Sequence, residues 1–231
     1  MSWWSHLDRT RVGVAPSLLG GDLARLAEEV AAVEAAGADV LHLDVMDGHF
    51  VPNLTFGAPV CAAIGRVAQL PLDCHLMIER PLESLGDYLA AGCRGLTLHL
   101  EALSDPGAAL ATLRRAGVLA GLSLRPGTPL PPPGPLWAGL DLLLVMSVEP
   151  GFCGQSFQPA ALDKVRAAAA LRRREGLDFA IEVDGGIGPA QAGPLRAAGA
   201  DLLVAASAVM GRPDRRAAIA ALRDAAAAAV K

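Results

Sequence analysis

Three times along the chain the same punctuation closes one segment and opens the next: AAGAD at 35–39, AAGCR at 90–94 and AAGAD again at 197–201. In each case an amphipathic, Ala-rich run leads into a short run rich in Val, Leu and Ile. Gly37, Gly92 and Gly199 can take the left-handed conformation that ends a helix, so the next strand can begin at once. Repeated helix-to-strand junctions of this kind call for a parallel sheet with crossover helices.

Eight β-rich runs can be counted, at roughly 11–17, 39–45, 71–77, 94–99, 118–124, 141–147, 179–184 and 201–205. Eight strands in 231 residues, each followed by a helical stretch, most simply close into an α/β fold, a (β/α)8 TIM barrel forming one domain over residues 1–231. An open doubly wound sheet is the main rival. It usually carries a GxGxxG turn after its first strand, which LLGGD at 18–22 does not match. The fifth helix is the weak place in the pattern. PLPPPGPLWAGLD at 129–141 cannot hold a regular helix through its prolines, so a short or irregular element is expected there.

Composition narrows the partners. Hydrophobic residues make up 52% of the chain and aromatics only 4%, so the core must be built from Ala, Val, Leu and Ile. A net charge of -4 offers no general attraction to nucleic acid or to an anionic membrane, which leaves a small molecule as the expected partner. Cys61, Cys74, Cys93 and Cys153 form no CxxC pair and read as reduced thiols of a cytoplasmic protein. The segment MSWWSHLDRTR does not read as a secretory signal, and no stretch reaches about 18 consecutive apolar residues. Ala167–Ala170 and Ala225–Ala229 fall within helical patterns rather than linkers. Trp3 and Trp4 are either anchors for a partner subunit or part of a loosely packed terminus.

In a barrel of this kind, catalytic groups stand at the C-terminal ends of strands. Ser17 ends the first strand, His42 and Asp44 the second, His75 the third, His99 the fourth and Asp184 the seventh. Side chains alternate along a strand, so His42 and Asp44 share one face while Leu41, Leu43 and Val45 pack the other. Taken singly, such a His is more often a hydrogen-bonded core residue, and an Asp before Gly-Gly more often a turn residue. Their coincidence at strand ends, in apolar surroundings where an unpaired charge is costly, favours function. Two imidazoles and two carboxylates suit zinc, ferrous iron or manganese, with positions left for substrate oxygens.

A phosphate site is expected after strands seven and eight, where Gly185, Gly186, Ala206 and Ser207 let backbone N–H groups approach an anion. After strand six, Gly151, Phe152, Cys153 and Gly154 form a glycine-flanked loop suited to closing over a ligand. Met46, Met77 and Met146 also fall near strand ends, where Met normally fills core gaps. His99, with Glu101 two residues on, reads equally well as a satisfied polar pair or as an orienting group.

SLLGGDLARL at 17–26, HLDVMDGHFVPNLTFG at 42–57, DCHLMIERP at 73–81, MSVEPGFCGQSF at 146–157 and EVDGGI at 182–187 together resemble the ribulose-phosphate 3-epimerase family. The resemblance spans nearly the whole chain, and DVMDG and PGFxGQ in this order are specific to it. It implies a (β/α)8 barrel of the ribulose-phosphate-binding type and interconversion of ribulose 5-phosphate and xylulose 5-phosphate in pentose phosphate metabolism. It further implies one divalent ion per subunit on His42, Asp44, His75 and Asp184, zinc first, with iron, manganese or cobalt as the other options. Asp44 then accepts the C3 proton and Asp184 returns one. Ser17 and His75 touch substrate, residues 151–154 close over it, and Asp184–Gly186 with Ala206 and Ser207 hold its phosphate end. A homo-oligomer is expected.

Two positions depart from the family pattern: Cys153 stands where it usually has Gly, and Ala206 where it has the Gly of a Gly-Ser pair. The alanine is expected to restrict φ, add a methyl group near the phosphate and shift affinity modestly, and an exposed Cys153 to be open to oxidation. Epimerisation next to a ketone needs a proton removed from one face of the carbon and returned on the other, which two carboxylates from opposite strands can do. The alternatives are a 3-epimerase for allulose 6-phosphate, a metal-free phosphate-binding barrel lyase or synthase, and a non-catalytic binding barrel.

Overall fold

The computed structural model describes residue 8 and residues 10–229. Trp3 and Trp4 lie outside that range. Eight strands occur where the alternation places them: β1 (Gly13–Pro16), β2 (Leu41–Met46), β3 (Leu72–Met77), β4 (Gly95–His99), β5 (Leu119–Leu124), β6 (Leu142–Met146), β7 (Ala180–Asp184) and β8 (Leu202–Ala205). They pair in parallel in the order β1-β8-β7-β6-β5-β4-β3-β2. The two ends of that order, β1 and β2, meet at an isolated bridge between Ser17 and His42, leaving a nearly closed barrel. A doubly wound sheet, whose strand order reverses at a switch point, is thereby ruled out.

The helices are α1 (Leu26–Ala35), α2 (Ala58–Gly65), α3 (Leu85–Ala90), α4 (Pro106–Arg115), α5 (Ala161–Arg174), α6 (Pro189–Ala198) and α7 (Arg215–Ala228). Gly37, Gly92 and Gly199 have φ of 92°, 84° and 111°, the left-handed closure that the repeated motif implies. After β5 the chain makes only a 3-10 turn, Pro135–Gly139, where the prolines forbid a helix. Trp137 fills that gap. Its ring is buried 5.3 Å from that of Phe179, and its Nε1 donates to Pro132 O at 3.0 Å. Such an aromatic pair contributes about 1 kcal/mol beyond its area burial.

Strand alternation divides the core in two. Outward-facing Leu41, Leu43, Val45, Leu76, Leu98, Ile181 and Val183 pack beneath the helices in the main apolar layer. Inside the barrel, Leu119, Leu142, Leu144, Met146 and Ala180 make one wall apolar. The opposite wall is polar: His42, Asp44, Asp73, His75, Thr97, His99, Ser123 and Glu182 are all buried. Polar groups withdrawn from water to this extent are costly unless they have partners, and their partners define the site.

Candidate active site

The polar wall opens into a cleft at the C-terminal ends of the strands, lined by Ser17, Asp44, Asp184, Gly185, Gly186, Ala206 and Ser207 together with residues 148–155. Met46, Met77 and Met146 line it as well, a clustering at the site rather than in the general core. His42 and His75 are fully buried behind the lining. One ligand atom from each of His42, Asp44, His75 and Asp184 falls within a group spanning 4.8 Å, so the four residues singled out in the sequence do converge.

Asp44 is the hub. Its Oδ2 accepts from Ser17 Oγ at 2.5 Å, and its Oδ1 lies 3.4 Å from His42 Nε2 and 3.2 Å from His75 Nδ1. The parallel register that sets Asp44 beside His75 and the bridge that sets Ser17 beside His42 create this contact set. Behind it, Thr55 Oγ1 donates to Asp44 O at 2.7 Å and accepts from Met46 N at 3.0 Å, tying the end of β2 to the following loop.

The protons on the two imidazoles follow from what lies on their far sides. His42 Nδ1 is 2.9 Å from Asp73 Oδ2, so that nitrogen carries a proton, and in the neutral ring Nε2 is left with a lone pair. No hydrogen bond satisfies His42 Nε2 among the described residues. His99 Nδ1 is 3.0 Å from Glu101 Oε2 and donates to it. A neutral His99 then accepts at Nε2, so His75 Nε2, 2.8 Å away, donates, and His75 Nδ1 keeps its lone pair. Glu101 is itself held by Arg125 N at 2.8 Å and by the hydroxyl of Thr128. With both rings neutral, two acceptor nitrogens thus face one carboxylate oxygen, an arrangement that calls for a positive charge there, as a second proton on His42 or as a cation.

The proton affinities point the same way. Burial opposes a charge on His42, but the Asp44 carboxylate and hydrogen bonds with Asp44 and Asp73 outweigh it and hold the imidazole well above its ordinary pKa. Burial likewise works against ionised Asp44, yet the His42 charge and the bonds from both imidazoles keep its pKa far below the usual carboxylate range. Asp184 moves oppositely, pushed up to about 6 by burial and by the Asp44 charge. The two carboxylates in the cleft therefore differ in proton affinity, one ionised and the other readily protonated.

Residues 151–154 cross the mouth of the cleft, with Phe152 exposed and Gly151 O accepting from Asn53 Nδ2 at 2.9 Å. Gly186, with φ of 60°, packs so closely that a Cβ there would lie 2.4 Å from Phe157 N, so only glycine fits between the two loops. Every described residue with positive φ is a glycine. Cys153 and Ala206 therefore sit in conformations open to any L-residue, so the alanine at 206 brings no backbone strain. Cys153 is exposed, but its thiol is pushed up to about 11 by partial burial and then by the charges of Asp44 and Asp184, which keeps it in its less reactive protonated form.

Asp73 and Glu182 were not singled out in the sequence. Each precedes a predicted site residue by two positions, the strand period that puts both on one face, and that signal was available. Glu182 Oε1 lies 3.6 Å from His42 Nδ1. Burial and the neighbouring Asp73 hold its carboxyl well above the usual range.

The profile of the ribulose-phosphate 3 epimerase family matches residues 13–210. The chain is 50% identical over 210 residues to the ribulose-phosphate 3-epimerase of Mycobacterium tuberculosis (strain ATCC 25618 / H37Rv), covering 91% of each chain. It is 43% identical over 213 residues to that of Bacillus subtilis (strain 168), covering 92% of this chain and 98% of the relative. Among solved structures, KGPDC from Streptococcus mutans superposes with a TM-score of 0.65 at 12% identity, over 96% of this chain and 100% of the other, which speaks to the fold alone. The protein is a barrel-fold isomerase that acts on a small molecule in the cleft where its strands end. More narrowly, it belongs to the ribulose-phosphate 3-epimerase family.

Proposed function

We propose that the protein interconverts D-ribulose 5-phosphate and D-xylulose 5-phosphate by moving the C3 proton between Asp44 and Asp184. The observation that carries this reading is geometric: the carboxylates of Asp44, from the end of β2, and Asp184, from the end of β7, line one cleft and reach into one cluster. One base cannot easily serve both faces of a planar enediolate; two groups from β2 and β7 can. As the substrate proton reaches Asp44, Asp184 releases its own to the other face, and the roles reverse for the return reaction.

His42 Nε2, His75 Nδ1 and one oxygen each of Asp44 and Asp184 would hold one divalent ion. Support comes from the unpaired lone pair of His42 and from the two acceptor nitrogens facing Asp44. The nitrogen-and-oxygen donor set favours zinc, with iron, manganese or cobalt also compatible. When bound there, such an ion supplies Lewis acidity toward the oxygens of the sugar. Asp73, and Glu101 acting through His99, fix which nitrogen of each imidazole faces the site, the usual task of carboxylates behind metal-binding histidines.

Ser17 orients Asp44 through its 2.5 Å hydrogen bond and meets substrate at the cleft wall, while His75, expected to touch substrate, is buried behind the lining and acts through Asp44 and the ion. Gly185, Gly186, Ala206 and Ser207 offer close backbone approach to the phosphate. Residues 151–154, including Phe152 and Cys153, close over the sugar and exclude water, while the three methionines give an uncharged surface with no competing proton. A cytoplasmic setting suits the four free cysteines, and no described helix is long and apolar enough to cross a membrane.

The test follows deuterium from solvent into C3 of ribulose 5-phosphate. The unaltered enzyme should wash deuterium in as it epimerises, and Asp44→Asn and Asp184→Asn should each abolish epimerisation. Full epimerisation by either variant would refute the two-carboxylate scheme, and faster turnover of allulose 6-phosphate would replace the substrate.

A further inference from the structure

Three of the four cysteines meet on the far side of β3 from the cleft. Cys61 comes from α2, Cys74 from the outward face of β3, and Cys93 from the turn between α3 and β4; all three are buried. Their sulfurs all lie within 4.8 Å of one another, with Cys74 Sγ and Cys93 Sγ 2.9 Å apart. The surrounding layer is mostly hydrocarbon, with the Tyr88 ring also buried beside the three sulfurs.

We propose that Cys61, Cys74 and Cys93 form a buried three-sulfur site for a soft, thiophilic cation of the Cu(I) class, separate from the catalytic cleft. Three sulfurs about 2.3 Å from a common centre lie about 4 Å apart, within the 4.8 Å span of this cluster, so the Cys74 and Cys93 sulfurs would part by about 1 Å to admit the ion. Zinc in a structural site takes four ligands, and the described residues bring no fourth His, Cys, Asp or Glu into this group. Three soft ligands with no fourth select a monovalent soft ion instead. A disulfide would use only two of the sulfurs and leave Cys61 without a part.

The surroundings suit binding. Hydrogen bonds from Cys74 and Cys93 hold the Cys61 thiol well below its usual pKa, so the cluster favours one thiolate before any ion arrives. Entry of Cu(I) then displaces one or both remaining thiol protons to solvent, with no change of oxidation state.

The experiment uses the zinc-loaded enzyme carrying Cys153→Ser, so that neither the cleft nor the exposed thiol competes. Under anaerobic conditions it is titrated against Cu(I) held by the chromophoric chelator bicinchoninate. One equivalent per chain should leave the chelator, and Cys61→Ala, Cys74→Ala and Cys93→Ala should each weaken uptake by about 100-fold or more. X-ray absorption of the bound copper should show three sulfur neighbours at about 2.3 Å, a readout that stands even if an alanine variant does not fold. Equal uptake by parent and variants, or oxygen and nitrogen neighbours around the copper, overturns the site. So does a thiol count on the unfolded Cys153→Ser enzyme that shows one reactive thiol, because two of the three cysteines would then be a disulfide.

Discussion

The two ends of the barrel use aspartate in opposite ways. At the N-terminal end, Asp39, Asp141 and Asp201 stand just before β2, β6 and β8. Each accepts a backbone N–H from the adjacent strand, from Val14 at 2.8 Å, Ala120 at 2.9 Å and Ile181 at 3.0 Å. Arginine neutralises them: Asp39 pairs with Arg11 at 2.5 Å and Arg223 at 2.8 Å, and Asp201 pairs with Arg172. At the C-terminal end, Asp44 and Asp184 have no arginine or lysine ion-pair partner among the described residues, and imidazole lone pairs face Asp44 instead. Acids that fasten strands are fully satisfied, and acids that do chemistry are left wanting a positive charge. That division matches the general rule that the bottom of such a barrel serves stability and the top serves catalysis.

The largest effect that would expose the contrast is on turnover. Asp44→Asn should lower kcat by about 1000-fold. Steady-state kinetics check this, and a kcat within about tenfold of the parent would erase the distinction between the two ends. Asp39→Ala should do the reverse, costing about 3 kcal/mol, or roughly 9 °C in Tm, with kcat within about twofold of the parent.

Smaller by this measure is the loss at Asp73, whose Asn variant should bind zinc about 10 to 100 times more weakly in a chelator competition, because the amide can no longer fix the His42 tautomer. Unchanged affinity would reduce Asp73 to a packing residue.

The pH dependence of stability should also have opposite signs at Asp39 and at Asp184. Burial raises the Asp39 pKa, but hydrogen bonds from Arg11, Val14 and Arg223 bring it below the ordinary value. Its contribution is therefore present above about pH 4 and is lost as pH falls below that. Asp184, raised to about 6, binds its proton more tightly folded than unfolded, so its contribution is present below about pH 4 and is lost as pH rises through 6. In metal-free protein, Asp184→Asn should flatten the decline in Tm between about pH 4 and 6, and Asp39→Asn should flatten only the acid limb below it.

Much of this contrast was legible in the sequence. The repeated AAGAD announced the strand starts and placed Asp39 and Asp201 at equivalent junctions, although their arginine partners come from distant elements that only closure brings near. His42, Asp44, His75 and Asp184 were readable because strand alternation puts them on one face and the family motifs surround them. Asp73 and Glu182 obey the same alternation, but an isolated acid inside a strand gives no reason to expect a partner. Their link through His42 depends on β2, β3 and β7 curving to face one another across the interior. The His99–Glu101 pair was visible as a pair. Its consequence for His75 needed the placement of β3 against β4, which brings the two imidazole nitrogens to 2.8 Å. The cysteine cluster left no local trace, because its members come from three elements and touch only once the helices pack on the sheet.

The central claim is that the acids and imidazoles of the C-terminal end are incomplete without a divalent cation. Thermal melts of chelated protein, with and without zinc added at a thousandfold excess over its dissociation constant, test this most directly. Stoichiometric binding should add about 4 kcal/mol, or roughly 12 °C in Tm, to the parent and equally to Asp39→Ala from its lower starting point, and nothing to Asp44→Asn. A parent whose Tm does not respond to zinc, or an Asp44→Asn variant that gains as much as the parent, would contradict the account.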